Sequence, residues 1–170
     1  ENSITPKFQA AYQDLTRRLR EIVSDLHPPM LLYGLKPALT ELADNLMESS
    51  SDRLKIQVDL QTDGERLPEQ MEQHLFRIAQ EACENVLRHA VARKIAIQGV
   101  LKSQEVDLVI ADDGKGFDVN IQLEPDILIK RRHFGIVGMI ERAHLIGAGI
   151  NIHSMPEMGT RIRLTWHPDP

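Results

Sequence analysis

The sequence predicts an α+β fold in which helices cover one side of a mostly antiparallel sheet. Three observations carry the prediction. Several short stretches alternate apolar and polar residues, the mark of half-buried strands. Longer stretches repeat their apolar residues every three or four positions, the mark of amphipathic helices. The chain has 170 residues, 42% of them apolar, which suits one globular domain with a single core.

Taken in order, Thr5-Pro6 supplies an N-cap and a proline at the first helical position. The chain then runs without Gly or Pro to His27, where Pro28-Pro29 stops it. Phe8, Tyr12, Leu15, Leu19, Ile22 and Leu26 form a heptad seam, narrower than a core-facing stripe. Such a helix packs either on its own domain or, as a coiled coil or four-helix bundle, on another chain. A second helix is predicted over Leu35 to Met47, and a strand over Leu54 to Leu60, closed by Asp63-Gly64. The longest helix of this region runs from Pro68 to about Val91, with Leu75, Ile78, Ala79, Ala82 and Val86 on its core face. Strands follow at 94–101 and 105–111. Residues 118–134 have no convincing period and read as a mobile loop. A helix over Ile136 to Ile146, a short strand over Ile150 to His153 and a last strand over Arg161 to Trp166 complete the pattern.

Composition narrows the function. A net charge of −5 and a pI near 5.8 give no basic footprint for nucleic acid. No run of 18 apolar residues and no charged-then-apolar leader occur, so the sequence predicts neither membrane contact by this segment nor a signal peptide. The lone Cys83 cannot form an internal disulfide, which fits a cytoplasmic location, and it reads as a small buried packing residue. His74, His144, His153 and His167 lack metal-ligand spacing, so no zinc site is expected.

Three stretches carry chemistry. Asp112-Asp113-Gly114-Lys115-Gly116-Phe117 ends an apolar strand with two acids and a Gly-x-Gly, which strips side chains from backbone that something must approach. On the long helix, Glu81, Asn85 and Arg88 stack along successive turns away from the core face, with His89 beside them. His133-Phe134-Gly135-Ile136-Val137-Gly138-Met139 places glycines where a loop enters a helix, a geometry that suits a phosphate. Asp113 reads as a solvated turn acid, and Lys130-Arg131-Arg132 as a solvated charge run.

In this order the pieces resemble the GHKL superfamily of ATP-binding domains, and within it the sensor histidine kinases of two-component systems. Glu81-Ala-Cys-Glu-Asn85-Val-Leu-Arg88-His89-Ala is similar to the family's asparagine box. Asp112-Asp-Gly114-Lys-Gly116-Phe resembles the first glycine box, Gly135-Ile-Val-Gly138-Met-Ile-Glu141-Arg142 the second, and Gly159-Thr160 the Gly-Thr that opens the final strand. Asp25-Leu-His-Pro28-Pro29-Met-Leu, followed by Gly34-Leu35, is similar to a junction found among nitrate and membrane-fluidity sensors. The resemblance spans about Leu19 to Trp166.

The resemblance implies a two-layer α/β sandwich of the GHKL (Bergerat) type, ATP and Mg2+ as ligands, and roles for named residues. Asn85 would give its carboxamide oxygen to Mg2+, and Glu81 would help polarise the nucleophile or a metal-bound water. Arg88 and His89 would lie near phosphate. Asp112 would accept the adenine amino hydrogen and so select ATP over GTP, with Thr160 bracing the pocket. Gly114 and Gly116 would admit the base and begin a lid over 118–134, and Gly135, Ile136, Val137, Gly138 and Met139 would meet the phosphates.

The resemblance also implies a division into residues 1–29, the second helix of a dimerisation and phosphotransfer hairpin, and 30–170, the catalytic ATP-binding domain. No phosphoacceptor box precedes Pro28, and His27, at a helix end against two prolines, is a poor substitute. The expectation is therefore a fragment of a cytoplasmic kinase portion, from a parent that is either soluble or membrane-anchored. Its γ-phosphoryl group would go to a histidine elsewhere and then to a response regulator, and the intact protein would be a homodimer through the N-terminal helix. The competing readings are a serine kinase of the anti-sigma type and a nucleotide-binding dimerisation module without catalysis.

Overall fold

A computed structural model describes residues 28–50, 53–118 and 134–168. The expected N-terminal helix with His27, the lid and the Lys130-Arg131-Arg132 run lie outside the described residues. A short 3-10 helix, Pro29–Tyr33, leads into α1, Leu35–Ser49. The strand β1, Lys55–Thr62, precedes α2, Glu69–Asn85. Next come β2, Lys94–Lys102, and β3, Glu105–Asp112. The last elements are α3, Phe134–Leu145, β4, Gly149–Ser154, and β5, Thr160–Trp166.

The five strands form one sheet in the order β1-β2-β3-β5-β4, with β1 and β2 parallel and the other pairs antiparallel. The pairing register explains why the alternating pattern works. Val58, Ile97, Ile110, Ile162 and Ile152 fall opposite one another in turn, a row of β-branched side chains across the whole sheet. Such cross-strand neighbours are the unit of sheet stabilisation, and four of the five are buried. All three helices cover this face: α1 lies on β1 and α2, α2 meets α3, and α3 reaches β4. The result is the two-layer α/β sandwich expected.

Side-chain spacing decides which face of α2 turns inward. Leu75, Ile78, Ala79, Ala82 and Val86 are all buried, as their spacing predicts, and Met71, Phe76 and Cys83 widen the buried stripe. Glu69 and Glu72 occupy its first turn, where carboxylates complement the helix dipole. Beyond Asn85 the helix widens into a single π turn, Val86–Ala90, and stops where Val91 turns left-handed at φ 53°. Single π turns of this kind are frequent at functional sites. This one carries Arg88 and His89.

Two boundaries differ from the sequence reading in a way that matters. α3 includes Phe134 and Gly135, so Gly135 and Gly138 are helical and not part of a loop entry. α1 runs two residues past Met47 to Ser49, where the Ser49 hydroxyl bonds back to the Leu46 carbonyl at 3.0 Å.

Candidate functional site

The ends of α2, β3, α3 and β5 enclose a cavity of about 390 Å³, within the usual range for small-molecule and cofactor sites. Its floor is the isoleucine row: Ile110, Ile162 and Ile152 come from three adjacent strands, and Ile136 and Met139 of α3 face them. This gives an apolar slot between sheet and helix. Polar groups stand at its two ends.

At one end is Asp112. It follows Ile110 by two residues and so points to the same, helix-covered face of the sheet. Thr160 precedes Ile162 by two and Ser154 follows Ile152 by two, so these residues continue the same face past the isoleucines. The Gly114 backbone N–H donates to Asp112 Oδ1 at 2.7 Å, and the Thr160 backbone and hydroxyl also hydrogen-bond the carboxylate. Burial nonetheless outweighs these bonds and lifts the Asp112 carboxyl above its ordinary 3.8. A half-buried carboxylate with free acceptor capacity suits a ligand N–H donor.

What approaches the Gly-x-Gly is, first of all, the protein's own backbone. Gly114 lies against Ala90, and the Lys115 N–H donates to the Ala90 carbonyl at 2.8 Å, tying the end of the π turn to the end of β3. Gly116 has φ 55°, and a Cβ there would overlap the Met155 carbonyl oxygen. The two glycines therefore clasp the stretch between α2 and the β4–β5 loop. Asp113 is no mere solvated turn acid: its Oδ1 accepts the Arg93 and Lys94 backbone N–H groups, each at 2.8 Å. Burial would raise its carboxyl, but these bonds prevail and hold it below the ordinary value.

At the other end, Glu81 and Asn85 stand one turn apart on α2 and face α3. A Cβ on Gly135 would overlap Glu81 Oε1 and come within 3.1 Å of Asn85 Nδ2. Gly135 is thus where the two helices touch, and its lack of a side chain leaves the carboxylate and carboxamide room. Arg88 and His89 also line the cavity, but the exposed Arg88 guanidinium is ion-paired with Glu84 one turn back.

Of the residues singled out from sequence, the cavity brings together Glu81, Asn85, Arg88, His89, Asp112, Gly116, Gly135, Ile136, Met139 and Thr160. It does not include Gly114, Val137 or Gly138. Gly114 is buried behind Asp112. Val137 turns away and packs with Ile140, and Gly138 lies against Arg142. Sequence reasoning passed over Lys115, Phe117 and the isoleucine floor. The signal for the floor was available, since stepping back by two from Asp112 and forward by two from Thr160 names Ile110 and Ile162.

A half-buried aspartate closing a strand, an Asn-bearing helix turn and an apolar slot between them make the arrangement specific enough to compare. Residues 70–170 match the family described as histidine kinase-, DNA gyrase B-, and HSP90-like ATPase. The chain belongs to this family. The ATPase-family chain is 34% identical over 160 residues to the sensor protein VraS of Staphylococcus aureus, covering 94% of this chain and 43% of that protein. It is 32% identical over 164 residues to the sensor protein VraS of Staphylococcus epidermidis, covering 96% of this chain and 44% of that one. The chain therefore spans less than half the length of these curated relatives. Among solved structures, the histidine kinase domain of the Erythrobacter litoralis EL346 blue-light activated histidine kinase superposes with a TM-score of 0.59 at 19% identity, over 77% of this chain and 59% of that one. The ATP binding domain of PrrB from Mycobacterium tuberculosis does so with 0.51 at 18% identity, over 78% and 95%. These superpositions bear on the fold alone. The sensor-kinase relatives fit the chain better than a serine kinase of the anti-sigma type or a dimerisation module does.

Proposed function

We propose that this chain is the catalytic ATP-binding domain of a two-component sensor histidine kinase, comprising residues 30–170. Residues 1–29 would be the second helix of the hairpin through which the intact kinase dimerises. The observation that carries the reading is the single cavity shared by Asp112 and Asn85, with an apolar slot between them. The donor set fits the nucleotide. The adenine ring lies against the isoleucine floor, its amino group donates to Asp112, and the phosphates extend toward Asn85, Arg88, His89 and Gly135.

Asn85 would hold Mg2+ through its carboxamide oxygen, a hard ligand for a hard cation. When bound there, the ion would supply charge neutralisation for the phosphates. Among the described residues no group of three or more His, Cys, Asp or Glu could hold a metal. The role left to the chain is positioning. Glu81, one turn from Asn85, orients the incoming imidazole and takes up its N–H proton. A histidine nitrogen outside the described residues forms the new P–N bond as the bond between γ-phosphorus and the β,γ-bridging oxygen breaks, and ADP leaves. The phosphoryl group would then pass to an aspartate of a response regulator. No helix among the described residues is long and apolar enough to cross a membrane. We place this domain in the cytoplasm, where ATP and the regulator are.

The test is γ-labelled ATP incubated with a longer chain that includes this domain and the preceding segment. Label that is lost in acid and kept in base identifies phosphohistidine and supports the reading. Acid-stable label favours the serine-kinase alternative. Failure to bind ATP removes the reading.

A further inference from the structure

Ser154 does not line the cavity, and no motif singled it out. It is nevertheless, with Glu72, one of two buried polar or charged residues among those described, at 3% exposure. Its hydroxyl oxygen accepts the Phe117 backbone N–H at 2.9 Å and donates to the Gly159 carbonyl at 2.9 Å. It also lies 3.0 Å from Thr160 Oγ1. The partners belong to two pieces of the base end, the glycine stretch at Phe117 and the start of β5 at Gly159 and Thr160. Phe117 is a wall of the cavity and closes the glycine stretch. Gly159 sits so close to Asp112 that a Cβ there would overlap the Asp112 carbonyl oxygen. Thr160 bonds the Asp112 carboxylate.

The pairing register shows why Ser154 reaches Thr160. Ser154 and Thr160 are directly opposite in the β4–β5 ladder, on the face that carries the isoleucine floor, and Thr160 hydrogen-bonds Asp112. Asp112, Thr160 and Ser154 thus extend the apolar row as a polar one. An alanine at the Ser154 position would leave the Phe117 N–H and the Gly159 carbonyl without their partner. We propose that Ser154 is a positioning residue for adenine recognition: one buried hydroxyl ties the cavity wall at Phe117 to Gly159, at the strand end that presents Asp112, and so fixes the place of the adjacent Thr160.

The inference rests on the nucleotide reading above, and the test separates the two. ATP and GTP are titrated calorimetrically against the unmutated chain, Ser154→Ala, Thr160→Val and the double variant, with thermal melts alongside. Ser154→Ala is expected to bind ATP about tenfold more weakly, the usual scale for buried groups left unpaired. Its preference for ATP over GTP should fall, and the gain in ATP affinity on adding Mg2+ should not change, because Asn85 is at the opposite end. In the Thr160→Val background the same substitution should cost no more than about threefold, since part of its action passes through Thr160. A Ser154→Ala chain that binds ATP as the unmutated one does, or loses ATP affinity equally in both backgrounds with selectivity intact, overturns the proposal. An unmutated chain that binds no ATP overturns the function reading instead. If Ser154→Ala melts too low to titrate, Ser154→Cys, with its much weaker hydrogen bonding, is judged by the same results.

Discussion

The two ends of the cavity are built differently. Around Asp112 the structure is a mesh of bonds donated by backbone N–H groups: Gly114 to the Asp112 carboxylate, Lys115 to the Ala90 carbonyl, Phe117 to the Ser154 hydroxyl, and Glu157 to the Lys115 carbonyl at 2.6 Å. Around Asn85 the walls are side-chain ends, with Glu81 and Asn85 facing a helix across one glycine and Arg88 held outward by Glu84. A mesh of backbone bonds fixes shape and suits selection of a flat base. Loose polar ends reorganise at little cost and suit phosphates and a metal that come and go. On the proposed reading, specificity is stored in the hydrogen-bonded end and chemistry in the other.

The sharpest way to break this contrast is Asp112→Asn. Losing a charge-assisted hydrogen bond should lower ATP affinity about a hundredfold and abolish the preference for adenine over guanine nucleotides, read by calorimetry. Next comes one substitution made at both ends. Gly116→Ala forces a Cβ into the Met155 carbonyl at φ 55° and should destabilise the fold by about 2 kcal/mol, seen in denaturant melts. Gly135→Ala meets only the ends of the Glu81 and Asn85 side chains, so it should leave the melting temperature unchanged or higher, because alanine favours a helix, while phosphotransfer falls. Equal destabilisation by the two would erase the distinction. Asn85→Ala should weaken ATP binding about tenfold in Mg2+ and hardly at all without it, with an unchanged melt.

The smallest effect is on stability against pH, and neighbouring acids should move in opposite directions. The Asp112 carboxyl is raised in the folded chain, so its contribution is full below 3.8 and lost as pH rises through the folded midpoint. Asp113 is lowered, so its contribution is present above 3.8 and lost as pH falls through its own folded midpoint. Asp112→Asn should raise the thermal midpoint by a few degrees at neutral pH and not below 3.8, whereas Asp113→Asn should lower it at neutral pH. Thermal melts across the pH range read both.

How legible each end was in the sequence follows the same division. The sheet was readable because alternation is a period-2 signal, and Val58, Ile97, Ile110, Ile162 and Ile152 each obey it within their own strands. Asn85 and Glu81 were readable because spacing along one element fixes a face, and Asp112 because it closes an apolar strand before the Gly-x-Gly. The contacts of Ser154 were not, because they arise from a cross-strand register and a tertiary contact with Phe117 that no local pattern encodes. The purpose of the glycines was half legible. Gly-x-Gly announces a close approach, but only the fold shows that Ala90 and Met155 are what approaches. Asp113 beside Asp112 was misjudged for the same reason, since its partners, the Arg93 and Lys94 N–H groups, lie about twenty residues away.

The central claim is that one cavity reads adenine at Asp112 and holds phosphates at Asn85. Calorimetric titration of the unmutated chain with ATP and with GTP, each in the presence and absence of Mg2+, tests it most directly. The account predicts ATP binding that Mg2+ strengthens, with GTP binding at least tenfold weaker in both conditions, on the scale of a site whose buried polar group is left unpaired. Equal affinity for the two nucleotides, or ATP binding indifferent to Mg2+, would contradict it.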